Sequence, residues 1–305
     1  MDATLPQLLA AIDGWQASAI ALKALTYGTS FVAGGGVLFL TFFWNQLDER
    51  DKRGIERVIV NTACAGMVFS VLRVAVMNGM MSDDLSGMFS VAMTRMVLTS
   101  NEGLALALRL VGLGLITMNL GARIRTRFPV AALSGAFLAI LSFGLTGHAS
   151  ELAHETGYIP GILICAHLLA VAFWLGALWP LYRLTRDDDI GKVAAIMHQF
   201  GRLAAFVVAI LIVVGAALLW WLLGNSSALW QSAYGQAMIA KLTVVTLLLV
   251  LAATNKLHLT PRLRNGDQAA VTVLRRSIGC EIVVACLILS ITACLTAIVG
   301  PPALN

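Results

Sequence analysis

His148, His154 and His167 are three of the chain's five histidines and lie within twenty residues of one another. His148 ends an apolar run in TGHAS, His154 sits in ELAHETGY, and His167 lies inside the next run, CAHLLAVAFWLGALWPL. A neutral imidazole is a ligand for soft-to-borderline metal ions. His167 comes eight residues after Ile159, about 12 Å into a helix at 1.5 Å per residue. An ionisable residue at such a depth marks a functional site by default. If helical, His148 and His154 face about 120° apart, so a shared site needs a turn between them. The plainer alternatives are a histidine bonded to a neighbouring helix and loop histidines that are merely solvated. Glu151 and Glu155 flank His154 and add carboxylates to the same stretch.

Methionines gather in a second stretch. Met77, Met80, Met81, Met88, Met93 and Met96 are six of the chain's eleven. Thioethers select soft cations, Cu(I) above all. Methionine also fills irregular apolar gaps, which needs no metal. Arg73, Arg109 and Lys241 interrupt other apolar runs and each is costly there unless paired or snorkelled. Glu102 and Arg109 are seven apart and share a helical face, as do Tyr234 and Lys241. These cations repel a cation in transit. They would suit a gate, a bound anion or the propionates of a haem. Trp174 shares a face with His167, either packing the bundle or lining a site. His198 and His258 lie among cations near helix ends and read as interfacial. Glu281 follows Arg275 and Arg276, so an ion pair is its plain explanation.

The elements that position these residues follow from composition. The chain has 305 residues, 59% hydrophobic and 12% charged, with mean hydropathy +0.84. Soluble domains carry about 25% charged residues. These values exclude an ordinary soluble enzyme, a disordered chain and a disulfide-rich secreted domain. Apolar runs place eight spans near 17–43, 57–77, 103–122, 128–147, 159–182, 200–223, 236–257 and 278–299, each about the 20 residues a crossing needs. We therefore expect an all-α, polytopic membrane helical bundle in a single transmembrane domain, 1–305. LSGMFSVAMTRMVL, between spans 2 and 3, is amphipathic and suits a short interfacial helix. Gly34, Gly35 and Gly36 allow close helix contact. The five cysteines sit in apolar runs without metal-finger spacing and read as small buried hydrophobes. The start, MDATLPQLLAAIDGWQ, lacks a basic signal-peptide region, so the first span is expected to direct insertion.

Loop cations orient the bundle. Connectors 1–2, 3–4, 5–6 and 7–8 hold 16 of the 21 Lys and Arg residues, all on one side. The positive-inside rule makes that side cytoplasmic and both termini periplasmic. Five cations against seven carboxylates give the outer face a charge of −2, and sixteen against nine give the inner face +7. The net charge of +5 is thus a topology signal. The expected surroundings are a lipid bilayer, with no nucleic-acid partner. There is no Walker loop, GxSxG or phosphorylated-Asp motif, so neither an ATP-driven pump nor another enzyme is expected.

Several stretches carry a family resemblance in order: GHA, then HLLAVAFWLGALWPL, HQFGRLAAFVVAILIVVGAALLWWLL, AYGQAMIAKLTVVTLLLVLAATNKLHLTPRL and LRRSIGCEIVVACLILS. Together they resemble the CopD/PcoD copper-resistance membrane protein family, well over 140–300 and more weakly over 1–130. The resemblance implies copper handling in a bacterial inner membrane with a separate periplasmic partner of the CopC type. By motif match it carries over His148, His167, Trp174, Lys241, Asn255 and Glu281. His154, Met77, Met80 and Met81 rest on ligand chemistry alone, and Arg73, Arg109, Glu102, Glu151 and Glu155 on their position. The resulting expectation is copper transport, inward from the periplasm. A haem-binding or copper-reducing redox protein and a docking receptor for a periplasmic copper chaperone are the alternatives.

Overall fold

The computed structural model describes residues 5–121, 130–146, 158–223 and 227–298. Eight principal helices follow one another: α1 (Gly14–Phe43), α2 (Glu49–Ser82), α3 (Asn101–Gly121), α4 (Val130–Leu141), α5 (Tyr158–Leu184), α6 (Ile190–Leu223), α7 (Ala233–Thr254) and α8 (Gln268–Ile298). No strand occurs among the described residues. The protein is an all-α polytopic bundle, and seven of the helices are long and apolar enough to cross a membrane. The stretch containing α4, Val130–Leu145, is shorter and ends in a 3-10 turn, Ser142–Leu145. Short helices Leu85–Phe89 and Val91–Leu98 fill the connector between α2 and α3, where the amphipathic sequence placed an interfacial segment.

The helices start where the sequence supplies caps. Asp13, Asp48 and Ser232 each accept a hydrogen bond from a backbone N–H in the first turn of α1, α2 and α7, relieving donors that a helix start leaves unpaired. Helices α2 and α6 contain 34 residues each, about 51 Å of rise against a hydrocarbon core of about 30 Å. The spans drawn from apolar runs were accordingly too short on the side rich in loop cations. α2 begins at Glu49 rather than near 57, α6 at Ile190 rather than near 200, and α8 at Gln268 rather than near 278. The polar ends keep their backbone bonds by continuing as helix in water. The region 258–277 is likewise mostly helical, with a turn through Gly266 at φ +82°.

Helix α1 is the hub, packing on α2, α4, α5 and α8. Its glycines permit this. A methyl group at Gly35 would overlap the Ala172 carbonyl of α5, and one at Gly176 would overlap the Gly35 backbone. Backbone thus meets backbone at this crossing, as small residues allow in a membrane. Below it, Phe43, Phe173 and Phe200 join α1, α5 and α6, with ring centroids 6.4 Å and 5.8 Å apart. The cysteines depart from expectation. Cys64, Cys280 and Cys286 are exposed on the bundle's surface, and Cys165 and Cys294 are partly so. Lipid tails are as apolar as a protein core, so an outward thiol costs little in a membrane.

Candidate functional site

Among the described residues, polar groups inside the bundle form two groupings, with a third at the end rich in loop cations. At the end of the bundle away from the loop cations, Arg73 of α2 donates two hydrogen bonds to the Glu102 carboxylate of α3, at 2.9 and 3.0 Å. This bidentate fork is the strong geometry for an arginine–carboxylate pair. Arg109, one face further along α3, is buried. It donates from Nε to Ser142 Oγ at 3.1 Å and lies 3.9 Å from the centroid of the Phe143 ring. Its Nη2 has no hydrogen-bond partner. Lys23 of α1 completes the group, donating to the Thr296 carbonyl of α8 at 2.9 Å. Lys23, Arg73, Glu102 and Arg109 lie within electrostatic reach of one another. The shared face of Glu102 and Arg109 therefore does belong to one polar cluster. Lys23 and Ser142 were not singled out from sequence. The position of Lys23 inside the 17–43 run was the available signal.

His167 lies in the middle of α5. Its Cε1 is 3.9 Å from where a methyl group would stand at Gly215 of α6, and Lys241 of α7 acts on it electrostatically. Its Nδ1 is buried without a hydrogen-bond partner among the described residues. The plain reading, an imidazole bonded to a neighbouring helix, therefore does not describe this nitrogen. His148, His154, Glu151 and Glu155 lie outside the described residues. Met77, Met80 and Met81 end α2, which packs on α1 and α3. Met80 and Met81 are exposed there. His167 instead faces α6, so no described contact joins these methionines to it. His198 and His258 are exposed near the cation-rich ends of their helices.

Farther inward, α5 to α8 line a partly open cavity of about 250 Å³ whose wall includes Trp174, Met197, Asn255, Lys256 and Glu281. Glu281 is 4% exposed. Arg275 does not pair with it, because that guanidinium donates to the Thr185 hydroxyl and carbonyl. The Glu281 carboxylate instead accepts from Asn255 Nδ2 at 2.6 Å, and Asn255 Oδ1 is buried without a partner. Asn255 opens a π-helical turn, Asn255–Leu259, a distortion frequent at functional sites. Trp174 is 5% exposed and is both core and cavity wall. Met197 was missed from sequence, since nothing in AAIMHQF says which way its side chain faces.

At the ends rich in loop cations, Asp48, Asp51 and Asp187 converge closely enough to suggest a metal triad. Lys192 occupies that position, donating to all three at 2.9, 2.7 and 2.6 Å. The group is a clamp between the α1–α2 and α5–α6 connectors. The backbone N–H of Asp51 and the Lys192 ammonium hold the Asp48 carboxyl below the usual carboxylate range. The Lys192 ammonium does the same for Asp187.

Comparison with known proteins gives two family matches. Residues 194–295 match the family described as copper resistance protein D. Residues 12–158 match the copper resistance protein D-like N-terminal domain. The chain belongs to the copper resistance protein D family. The family likeness thus extends over the N-terminal half, where the motifs alone resembled the family more weakly. Among curated relatives, copper resistance protein D of Pseudomonas syringae pv. tomato is 26% identical over 249 residues, covering 76% of this chain and 80% of that protein. No solved structure matches the chain. The Arg73–Glu102–Arg109 cluster falls within the N-terminal domain match, and Met197, Lys241, Asn255 and Glu281 within the other. His167 and Trp174 lie in the segment between them.

Proposed function

We propose that the protein transports copper across the bacterial inner membrane, inward from the periplasm, as part of copper resistance or homeostasis. Family membership supports copper as the substrate. The single structural observation behind the route is His167 Nδ1, a buried imidazole nitrogen without a partner in the middle of the bundle. Imidazole binds copper in either common oxidation state. In this reading copper arrives from a separate periplasmic CopC-type protein, meets His148, His154, the half-buried Met77 and the exposed Met80 and Met81 at the outer face, and passes His167. The Lys23–Arg73–Glu102–Arg109 cluster holds α1, α2, α3 and α8 together beside that mouth and resists a second cation. Lys241 stands within electrostatic reach of His167, and Trp174, Asn255 and Glu281 shape the inner half. A membrane potential negative inside favours inward movement of a cation by about 2.3 kcal/mol per charge per 100 mV.

The test is copper accumulation in cells expressing wild type or His167→Ala at equal membrane abundance. The reading expects accumulation in the variant to fall to that of cells lacking the protein. Wild-type accumulation would remove His167 from the route.

A further inference from the structure

The inner cavity carries an unusual set of groups for a helical membrane interior. Its wall includes a carboxylate, Glu281, that is 4% exposed and has no ion pair among the described residues. An isolated charge in such surroundings is costly, and it is relieved either by a proton or by a counter-ion. Its hydrogen-bond donor, Asn255, spends Nδ2 on the carboxylate and leaves Oδ1 buried and unsatisfied. Buried unsatisfied acceptors are uncommon. A cation placed here would answer the lone acceptor and the unpaired carboxylate together.

Two further residues say which cation. Met197, 6% exposed, lines the same cavity, and its thioether is a soft ligand. Trp174 lines it from α5, and an indole face attracts a nearby cation. One carboxylate neutralises one positive charge, which favours a monovalent ion in a low-dielectric interior. The charged neighbours are few. Lys256 is exposed and lines the cavity edge, while Arg275 is engaged by Thr185. The cavity also lies close to the cytoplasm. His198, next in sequence to Met197, lines an open cytoplasmic groove of about 570 Å³ with Gln46, Gln199, Arg202 and Arg264.

We propose that Glu281, Asn255 Oδ1 and Met197, beneath Trp174, form a second, inner binding site for copper(I), separate from His167 and opening toward the cytoplasmic groove. The proposal rests on the copper-transport reading and adds the station from which the ion leaves. The Glu281 carboxylate supplies charge, Asn255 an oxygen and Met197 the preference for a soft ion over sodium.

The experiment loads the full-length protein in detergent with copper(I), anaerobically, against a competing chelator, and counts bound copper. Glu281→Gln and Met197→Leu are each expected to bind one copper fewer than wild type and to keep the copper held by His167. His167→Ala is expected to lose a different copper, so that its double variant with Glu281→Gln loses both. Gln keeps an acceptor for Asn255, and Leu keeps the volume, so both variants are expected to remain folded, checked by thermal unfolding. Wild-type copper content in both Glu281→Gln and Met197→Leu overturns the inner site while leaving the transport reading standing. Loss in these variants with full binding in His167→Ala supports the inner site and removes His167. Wild type that binds no copper overturns both.

Discussion

Removing the Glu102 charge offers a sharp test of how the outer cluster holds together. Glu102→Gln keeps the side-chain shape and one acceptor but leaves Lys23, Arg73 and Arg109 as cations sharing one region. Breaking a fully buried ion pair from one side costs about 3–5 kcal/mol. The Arg73 and Glu102 side chains are 13% and 27% exposed, so solvent screens part of this and the expected cost is about 2–3 kcal/mol. Arg73→Met removes the complementary partner. The double variant should then be more stable than the two single losses added together, because no uncompensated charge remains at that pair. The coupling should be about 2 kcal/mol. Equilibrium unfolding of the four proteins in mixed detergent micelles measures the cycle. A Glu102→Gln loss under about 0.5 kcal/mol, the range of an ordinary surface substitution, or strictly additive losses, would refute the argument that this fork neutralises the cluster.

Other outcomes follow from named contacts. Gly35→Ala forces α1 off the Ala172 carbonyl and should lower stability by about 1–3 kcal/mol, measured by the same unfolding. Gly114→Ala, where a methyl group meets nothing within 4 Å, should not. The clamp carboxyls Asp48 and Asp187 have lowered pKa values. Their stabilisation is therefore complete above the ordinary carboxylate pKa of about 3.9 and is lost as pH falls through their lower folded values. Wild type and Lys192→Met should differ in stability at pH 7 and converge only below about pH 4. A gap already closing at pH 6 would point to other groups.

Much of the architecture was legible because lipid enforces a simple code. Each crossing must be a long apolar helix, so the runs around α1, α2, α3, α5, α6, α7 and α8 announced themselves. The same code hid the helical extensions on the cation-rich side. Beyond the hydrocarbon core, stretches such as GKVAAIMHQF carry charged and polar residues that interrupt an apolar run without ending a helix. For the candidate site, rarity was the useful signal. Arg73, Glu102, Arg109 and His167 stood out because ionisable residues are expensive in apolar runs. Partnership was not legible. Glu281 was expected to meet Arg275 or Arg276 from nearness in sequence, yet it meets Asn255, 26 residues away. Helix rotation decides such pairs, and rotation depends on contacts such as Gly35 against Gly176 that only the assembled bundle defines. Met197 escaped notice for the same reason, since methionine is unremarkable in an apolar run until its facing is known.

The central claim is that this chain moves copper inward past His167. Copper influx into sealed vesicles reconstituted with purified protein alone, with an inside-negative potential imposed, tests it most directly. The account predicts time-dependent influx with wild type, accelerated by the potential, and influx no greater than that of protein-free vesicles with His167→Ala. Wild-type vesicles that take up copper no faster than protein-free ones would contradict it.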